Sequence, residues 1–242
     1  MTNQVMKWVL DVVNAVNFYG VLGAVAFVFN EIRIKRAEQV DDFDRQFGTD
    51  TAGKLYPWHL GSLRNGDRKN EIYPYEGVPG QLLKSILSRL SFDFERFSFI
   101  DLGCGKGRAL LLASEFPFSK IVGVEITPEL HEIAKENVEK YIATTQNFSN
   151  FELLCLDARL YEFESTPLVL FLFNPFGEQT FDTVLSRLEA SVMENPRQVT
   201  VIYVNPRLES RLAQSGLFRK VFRGGSLIRP WYRYVIYITK WS

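Results

Sequence analysis

Phe99-Ile100-Asp101-Leu102-Gly103-Cys104-Gly105-Lys106-Gly107-Arg108-Ala109-Leu110 joins three local signals in twelve residues. An apolar run ends in an acid, glycines then alternate, and an apolar helical pattern follows. That order reads as a strand, a tight turn and a helix start. Glycine allows the sharp turn and lets the backbone approach a ligand closely, because no Cβ intrudes. The helix start adds N–H groups that lack intrahelical partners.

The segments downstream repeat the pattern. Ile121-Val122-Gly123-Val124-Glu125 is a second buried-type strand ending in an acid, 22 residues after Gly103. An acid at about that distance sits at the tip of the second strand, where it can accept hydrogen bonds from both hydroxyls of a ribose. Thr127 and Pro128 suit the N-cap and first position of a helix, and Leu130, Ile133, Ala134, Val138 and Tyr141 recur at helical spacing. Phe151–Leu156 reads as a third strand, followed by Asp157 and Ala158. Leu168–Phe173 is a continuous apolar run, as a central parallel strand requires, and it ends in Asn174-Pro175-Phe176-Gly177.

Asp-x-Gly-x-Gly-x-Gly, from Asp101 to Gly107, resembles motif I of the class I S-adenosylmethionine-dependent methyltransferases. The nicotinamide and flavin fingerprint G-x-G-x-x-G/A needs a small third residue. Counted from Gly103, that place holds Arg108. Asn174-Pro175-Phe176 is similar to the (D/N)-P-P-(Y/F) motif of methyltransferases that act on nitrogen, although one Pro is missing and Phe176 comes one place early. Phe99–Ala113, Gly123-Val124-Glu125 and Asn174–Gly177 look like an uncharacterised bacterial group of these enzymes. They also show some likeness to the non-SET histone-lysine methyltransferases, in which a Tyr/Glu loop precedes the domain; Tyr75-Glu76 is the matching place.

The resemblance implies S-adenosyl-L-methionine as cofactor, held by Tyr75, Glu76, Asp101, Gly103, Cys104, Gly105, Gly107, Glu125, Ile126, Asp157, Ala158 and Asn174. Asp157 would hold the adenine amino group. Asn174, with Pro175 and Phe176, would align the target nitrogen and pack on a flat acceptor. The acceptor class stays open among protein, nucleic acid and small molecule. Two other readings stand beside this one: an aminopropyltransferase, and a silent cofactor-binding scaffold.

Alternating strands and helices imply an α/β fold with helices on both faces of a mostly parallel sheet. Ligands should bind at the carboxyl ends of its strands. The family implies a Rossmann-like sheet of seven strands in the order 3-2-1-4-5-7-6. Helices are expected around Leu82–Leu90 and Phe181–Val192, a fifth strand at Val199–Val204, and an antiparallel edge pair from Leu217–Phe222 and Trp231–Ile238. Residues 72–242 form this domain.

Lys plus Arg equals Asp plus Glu at 28 each, which gives no overall basic signal for nucleic acid. The distribution is uneven. Ile121–Pro196 holds 13 acids against 4 bases, and Arg207–Ser242 holds 8 bases against 1 acid. Such charges most often lie on solvated faces. Only Cys104 and Cys155, and His59 and His131, are present, without metal-ligand spacing, so no metal is expected and a reducing, cytoplasmic compartment is.

Residues 1–40 carry a hydrophobic helix. Val12–Phe29 is free of charge over 18 residues, and Arg33, Lys35 and Arg36 follow. That stretch reads as a helix docked on the domain or on a second copy in a homodimer, as an anchor on the cytoplasmic face of a membrane, or as a disordered leader. Residues 41–71 are a lid or linker, and the lid is favoured because long irregular segments are often functional.

Overall fold

The computed structural model describes residues 6–17, 21, 42–60, 71–146, 150–225 and 232–241. A helix over residues 6–17 (α1) is followed by the short helix Phe43–Phe47 (α2). The two-residue strands Lys54–Leu55 (β1) and Tyr75–Glu76 (β2) pair antiparallel with each other. Then come Gly80–Leu87 (α3), Ser98–Leu102 (β3), Arg108–Ala113 (α4), Lys120–Glu125 (β4), Pro128–Thr145 (α5), Phe151–Cys155 (β5), Leu168–Phe173 (β6), Glu178–Glu194 (α6), Val199–Val204 (β7), Glu209–Gln214 (α7), Phe218–Gly224 (β8) and Tyr234–Thr239 (β9).

The last seven strands form one sheet in the order β5-β4-β3-β6-β7-β9-β8. Counted from the first strand of that sheet, this is 3-2-1-4-5-7-6, the expected arrangement. β5 through β7 run parallel, and β9 pairs antiparallel with β7 and β8. A register shift lies between Lys220 and Phe222 in the edge strand.

Strand alternation divides the core between the two faces. Phe99, Val169, Phe171, Ile202 and Ile236 pack with Leu83, Ile86 and Leu87 of α3 and with Leu110–Ala113 of α4. Ile100, Leu102, Val122, Leu170 and Val201 pack with Phe181, Val184, Leu188 and Val192 of α6. Each such side chain, fully buried, contributes about 1.5–3 kcal/mol. β6, at the middle of the sheet, is apolar throughout because both its faces are covered.

At the C-terminal end, Tyr234 and Tyr237 are buried in the sheet while Trp241 is half-exposed; Trp231 lies outside the described residues. Lys220 and Arg223 both pair with Glu209, so part of the basic tail is neutralised locally.

Of Val12–Phe29, residues 12–17 and 21 are described. Among the described residues, no helix is long and apolar enough to cross a membrane. Helix α1 is tied down through Asp11, which accepts from Trp58 Nε1 at 3.2 Å and pairs with His59 Nε2 at 2.7 Å. Met6, Val9, Leu10, Val13 and Val16 face outward on it.

Candidate active site

β3 ends in the glycine turn. Gly103 and Gly105 lie in the left-handed region at φ 86° and 55°. Their neighbours allow nothing larger: a Cβ on Gly103 would come 2.5 Å from Pro175 Cβ, and one on Gly105 would come 2.1 Å from Tyr75 Cδ2. The turn is stitched to β4, because Gly103 and Cys104 both donate their N–H to the Val124 carbonyl, at 2.8 and 3.0 Å. Gly107 differs from the other two. It caps α4, its hypothetical Cβ meets Ala134 at 3.3 Å, and it serves the packing of α4 on α5 rather than lining the cleft.

Glu125, at the tip of β4, folds back over the turn. Its Oε2 accepts from Gly105 N and its Oε1 from Thr127 N, both at 2.9 Å. Burial raises its pKa, against the hydrogen bonds from Thr127, Gly105 and Ile126. A carboxylate has about four lone-pair sites, so it retains acceptor capacity for a ligand. Asp101 is buried close by, and its pKa is pushed well up by burial first and by Glu125 second. The Cys104 thiol is likewise held in its neutral form, chiefly by burial and then by these two acids.

Two cavities meet at this turn. The larger, about 680 Å³ and open to solvent, is lined by Tyr75, Glu76, Asp101, Gly103, Cys104, Gly105, Glu125, Asn174 and Pro175. The second, about 460 Å³, is lined by Ile126, Asp157, Ala158 and Phe176. Ile72, Gly103 and Pro175 are walls of both. Every residue expected at the site except Gly107 therefore borders one cavity or the other.

Their roles divide differently from the expectation in two places. Phe176 is 6% exposed, packs in the core under α6 and borders the cavity of Asp157, not that of Asn174. Coming one residue early, it turns away from any acceptor beside Asn174. The aromatics that do border the Asn174 cavity are Tyr73, Tyr75, Phe171 and Phe173. Asp157 borders its cavity with its carboxylate already engaged: Arg159 reaches it through Nε at 3.1 Å, Nη2 at 2.7 Å and the backbone N–H at 3.0 Å.

Asn174 follows β6 at φ 43°, a left-handed conformation that Asn tolerates better than most residues. It is 7% exposed. Its Oδ1 accepts from Tyr203 Oη at a long 3.4 Å, and Tyr203 Oη in turn accepts from Leu208 N at 3.3 Å.

Residues 71–78 run across the top of both cavities. Ile72 bridges to Phe176, and Glu71 receives Gly177 N on its carbonyl at 3.1 Å and Thr180 N on its carboxylate at 3.0 Å. Tyr75 closes the other end over Gly105.

A family model described as a methyltransferase domain matches residues 94–223. The chain belongs to this methyltransferase family. An uncharacterised protein of Methanocaldococcus jannaschii is 31% identical over 133 residues; the match covers 55% of this chain and 52% of that protein, so the chain spans about half the length of that relative. Among solved structures, a SAM-dependent methyltransferase from Aquifex aeolicus is 15% identical with a TM-score of 0.47, over 66% of this chain and 93% of its own. A ribosomal protein L11 methylase from Lactobacillus delbrueckii subsp. bulgaricus is 16% identical with a TM-score of 0.46, over 66% and 77%.

The sheet order is that of the class I fold, and the cofactor this family implies is S-adenosylmethionine. The residues present fit that molecule. The glycine turn borders the larger cavity, and Glu125 keeps acceptor capacity for ribose hydroxyls. Two buried carboxyls, Asp101 and Glu125, border the larger cavity, and a sulfonium or an ammonium beside them would favour their ionised forms.

Proposed function

We propose that this methyltransferase transfers the methyl group directly to a nitrogen of an amine or amide acceptor. The observation that carries the reading is Asn174: a nearly buried amide at the end of β6, bordering the same cavity as the glycine turn and Glu125. Bound S-adenosylmethionine supplies a methyl already activated on sulfur. The chain's residues then mainly provide proximity and alignment, which together can lower a barrier by roughly 7–11 kcal/mol.

Asn174 Oδ1 accepts a hydrogen bond from the acceptor N–H and so aims its lone pair. The long contact from Tyr203 leaves that oxygen only lightly engaged. Tyr73, Phe173 and Pro175 form the apolar surroundings. Burial of that kind favours the neutral form of an amine, as transfer to a protein lysine would need. Incubating the protein with methyl-tritiated cofactor and a cell lysate, then fractionating into protein, RNA and small molecules, names the acceptor class. Base-stable label on nitrogen supports the reading, whereas label released as an ester or found on carbon overturns it.

For a further partner, the outward apolar side chains of α1 support a membrane surface. Recovery of the full chain wholly in the soluble fraction without detergent would remove that reading.

A further inference from the structure

Arg108 is out of place by ordinary sequence logic. It opens α4, a helix whose residues are all buried, and is itself 4% exposed. A guanidinium taken out of water needs partners close at hand. Nε donates to the Val78 carbonyl at 2.8 Å and Nη1 to Thr51 Oγ1 at 2.6 Å, while the planar group lies 4.8 Å over the Phe43 ring. All three partners precede the matched methyltransferase domain.

Thr51 is the hub. Its Oγ1 donates to Asp44 Oδ1 at 2.6 Å, its N–H donates to Asp44 at 2.9 Å, and its carbonyl accepts Tyr75 Oη at 2.6 Å. Tyr75 in turn lies against Gly105, and Gly77 leaves no room for a side chain between Thr51 O and Arg108 Cδ, which a Cβ would meet at 2.7 and 3.0 Å. A second tie runs alongside. Lys106 Nζ reaches Asp50 at 2.7 Å, and the Asn137 amide brackets Asp50, accepting from its N–H at 2.8 Å and donating to its carbonyl at 2.9 Å.

We propose that Thr51 and Arg108 are positioning residues for the cofactor: together they hold Tyr75 against the glycine turn, which makes residues 43–52 a working part of the cofactor site. The proposal rests on the cofactor assignment above. It predicts a division of effects. Loosening the latch forces each binding event to order the Tyr75–Val78 wall, so cofactor affinity falls. Asn174 takes its hydrogen bond from Tyr203 and not from Thr51 or Arg108, so turnover at saturating cofactor holds.

The test uses the full chain and S-adenosylhomocysteine, titrated by calorimetry, on wild type, Thr51→Val, Thr51→Ser and Tyr75→Phe. Losing the Thr51 hydroxyl removes its bonds to two charged groups, Arg108 and Asp44, and should weaken binding roughly tenfold or more. Thr51→Val should show that loss with KM for the cofactor raised and kcat unchanged, and Thr51→Ser should restore wild-type affinity. Tyr75→Phe keeps the ring and removes only its bond to Thr51, so it tests the latch even where Thr51→Val fails to fold. It should weaken binding in the same direction, and the double variant should cost less than the sum of the two. Wild-type affinity in both single variants, an unrescued Thr51→Ser, or strict additivity would overturn the latch while leaving the cofactor assignment intact. Failure of the wild-type protein to bind S-adenosylhomocysteine would overturn the assignment itself.

Discussion

The floor and the roof of the cleft are built in opposite ways. The floor is the glycine turn with Asp101 and Glu125, and its hydrogen bonds close within about twenty residues of chain, as between Gly105 N and Glu125. The roof is residues 71–78, with residues 43–52 bonded behind them, and its bonds reach far along the chain: Arg108 to Thr51 spans 57 residues and Thr180 to Glu71 spans 109. A floor of this kind is set by local chemistry and by the parallel sheet beneath it. The roof depends on a few side chains that find partners on other elements.

The contrast is broken most severely at the acceptor. Asn174→Ala should lower kcat by at least about a hundredfold, an effect of the size seen when one preorganised polar group is lost from an active site. Cofactor affinity, measured by calorimetry, should stay near the wild-type value. Equal turnover would remove Asn174 from its role.

Next in size is the point where floor meets roof. Gly105→Ala places a Cβ 2.1 Å from the Tyr75 ring in a left-handed conformation. Binding of S-adenosylhomocysteine should become undetectable, and thermal denaturation should report a loss of about 1–2 kcal/mol from the backbone conformation alone. The same change at Gly107, which serves helix packing, should act mainly on stability.

Within the floor, Glu125 is better probed with Gln than with Ala. Its carboxylate also holds Gly105 N and Thr127 N, and Ala would leave both donors orphaned. Glu125→Gln should weaken cofactor binding about tenfold, consistent with ~1.5 kcal/mol for a charge-assisted bond. An unchanged dissociation constant would count against contact with the ribose.

The smallest effect belongs to the roof. Burial raises the pKa of Asp44, but hydrogen bonds from Thr51, Thr49 and Ala52 outweigh it and hold the carboxyl below its ordinary 3.8. A depressed pKa contributes stability above the unfolded value that is lost as pH falls through the folded one. Asp44→Asn should therefore cost about 1 kcal/mol at neutral pH. Chemical denaturation at successive pH values should show the gap to wild type closing below about pH 4.

This division also explains what the sequence disclosed. The parallel strands were legible as apolar runs and the edge pair by alternation, and Leu168–Phe173 and Val199–Val204 fall where expected. Glu125, the last residue of β4, and Asn174, the residue after β6, lie at the strand ends where the sequence placed them. Phe176 misled: proximity to Asn174 along the chain does not fix which way a ring turns after a left-handed residue. Tyr73 and Phe173 carried no periodic signal as cleft residues, one lying in an irregular segment and the other at the end of an apolar strand. The use of Arg108 was hidden for a different reason. Its oddity was visible in the motif, but its partners Thr51 and Val78 are reached only through folding.

The central claim is that one sulfonium nucleoside spans both cavities, and a crystal of the full chain with S-adenosylhomocysteine tests it most directly. The account predicts ribose hydroxyls on Glu125, the base between Ile126 and Ala158, and the amino-acid tail beside Asp101 and Gly105 under Tyr75. A cleft that stays empty at saturating ligand, or a nucleoside bound elsewhere on the chain, would contradict it.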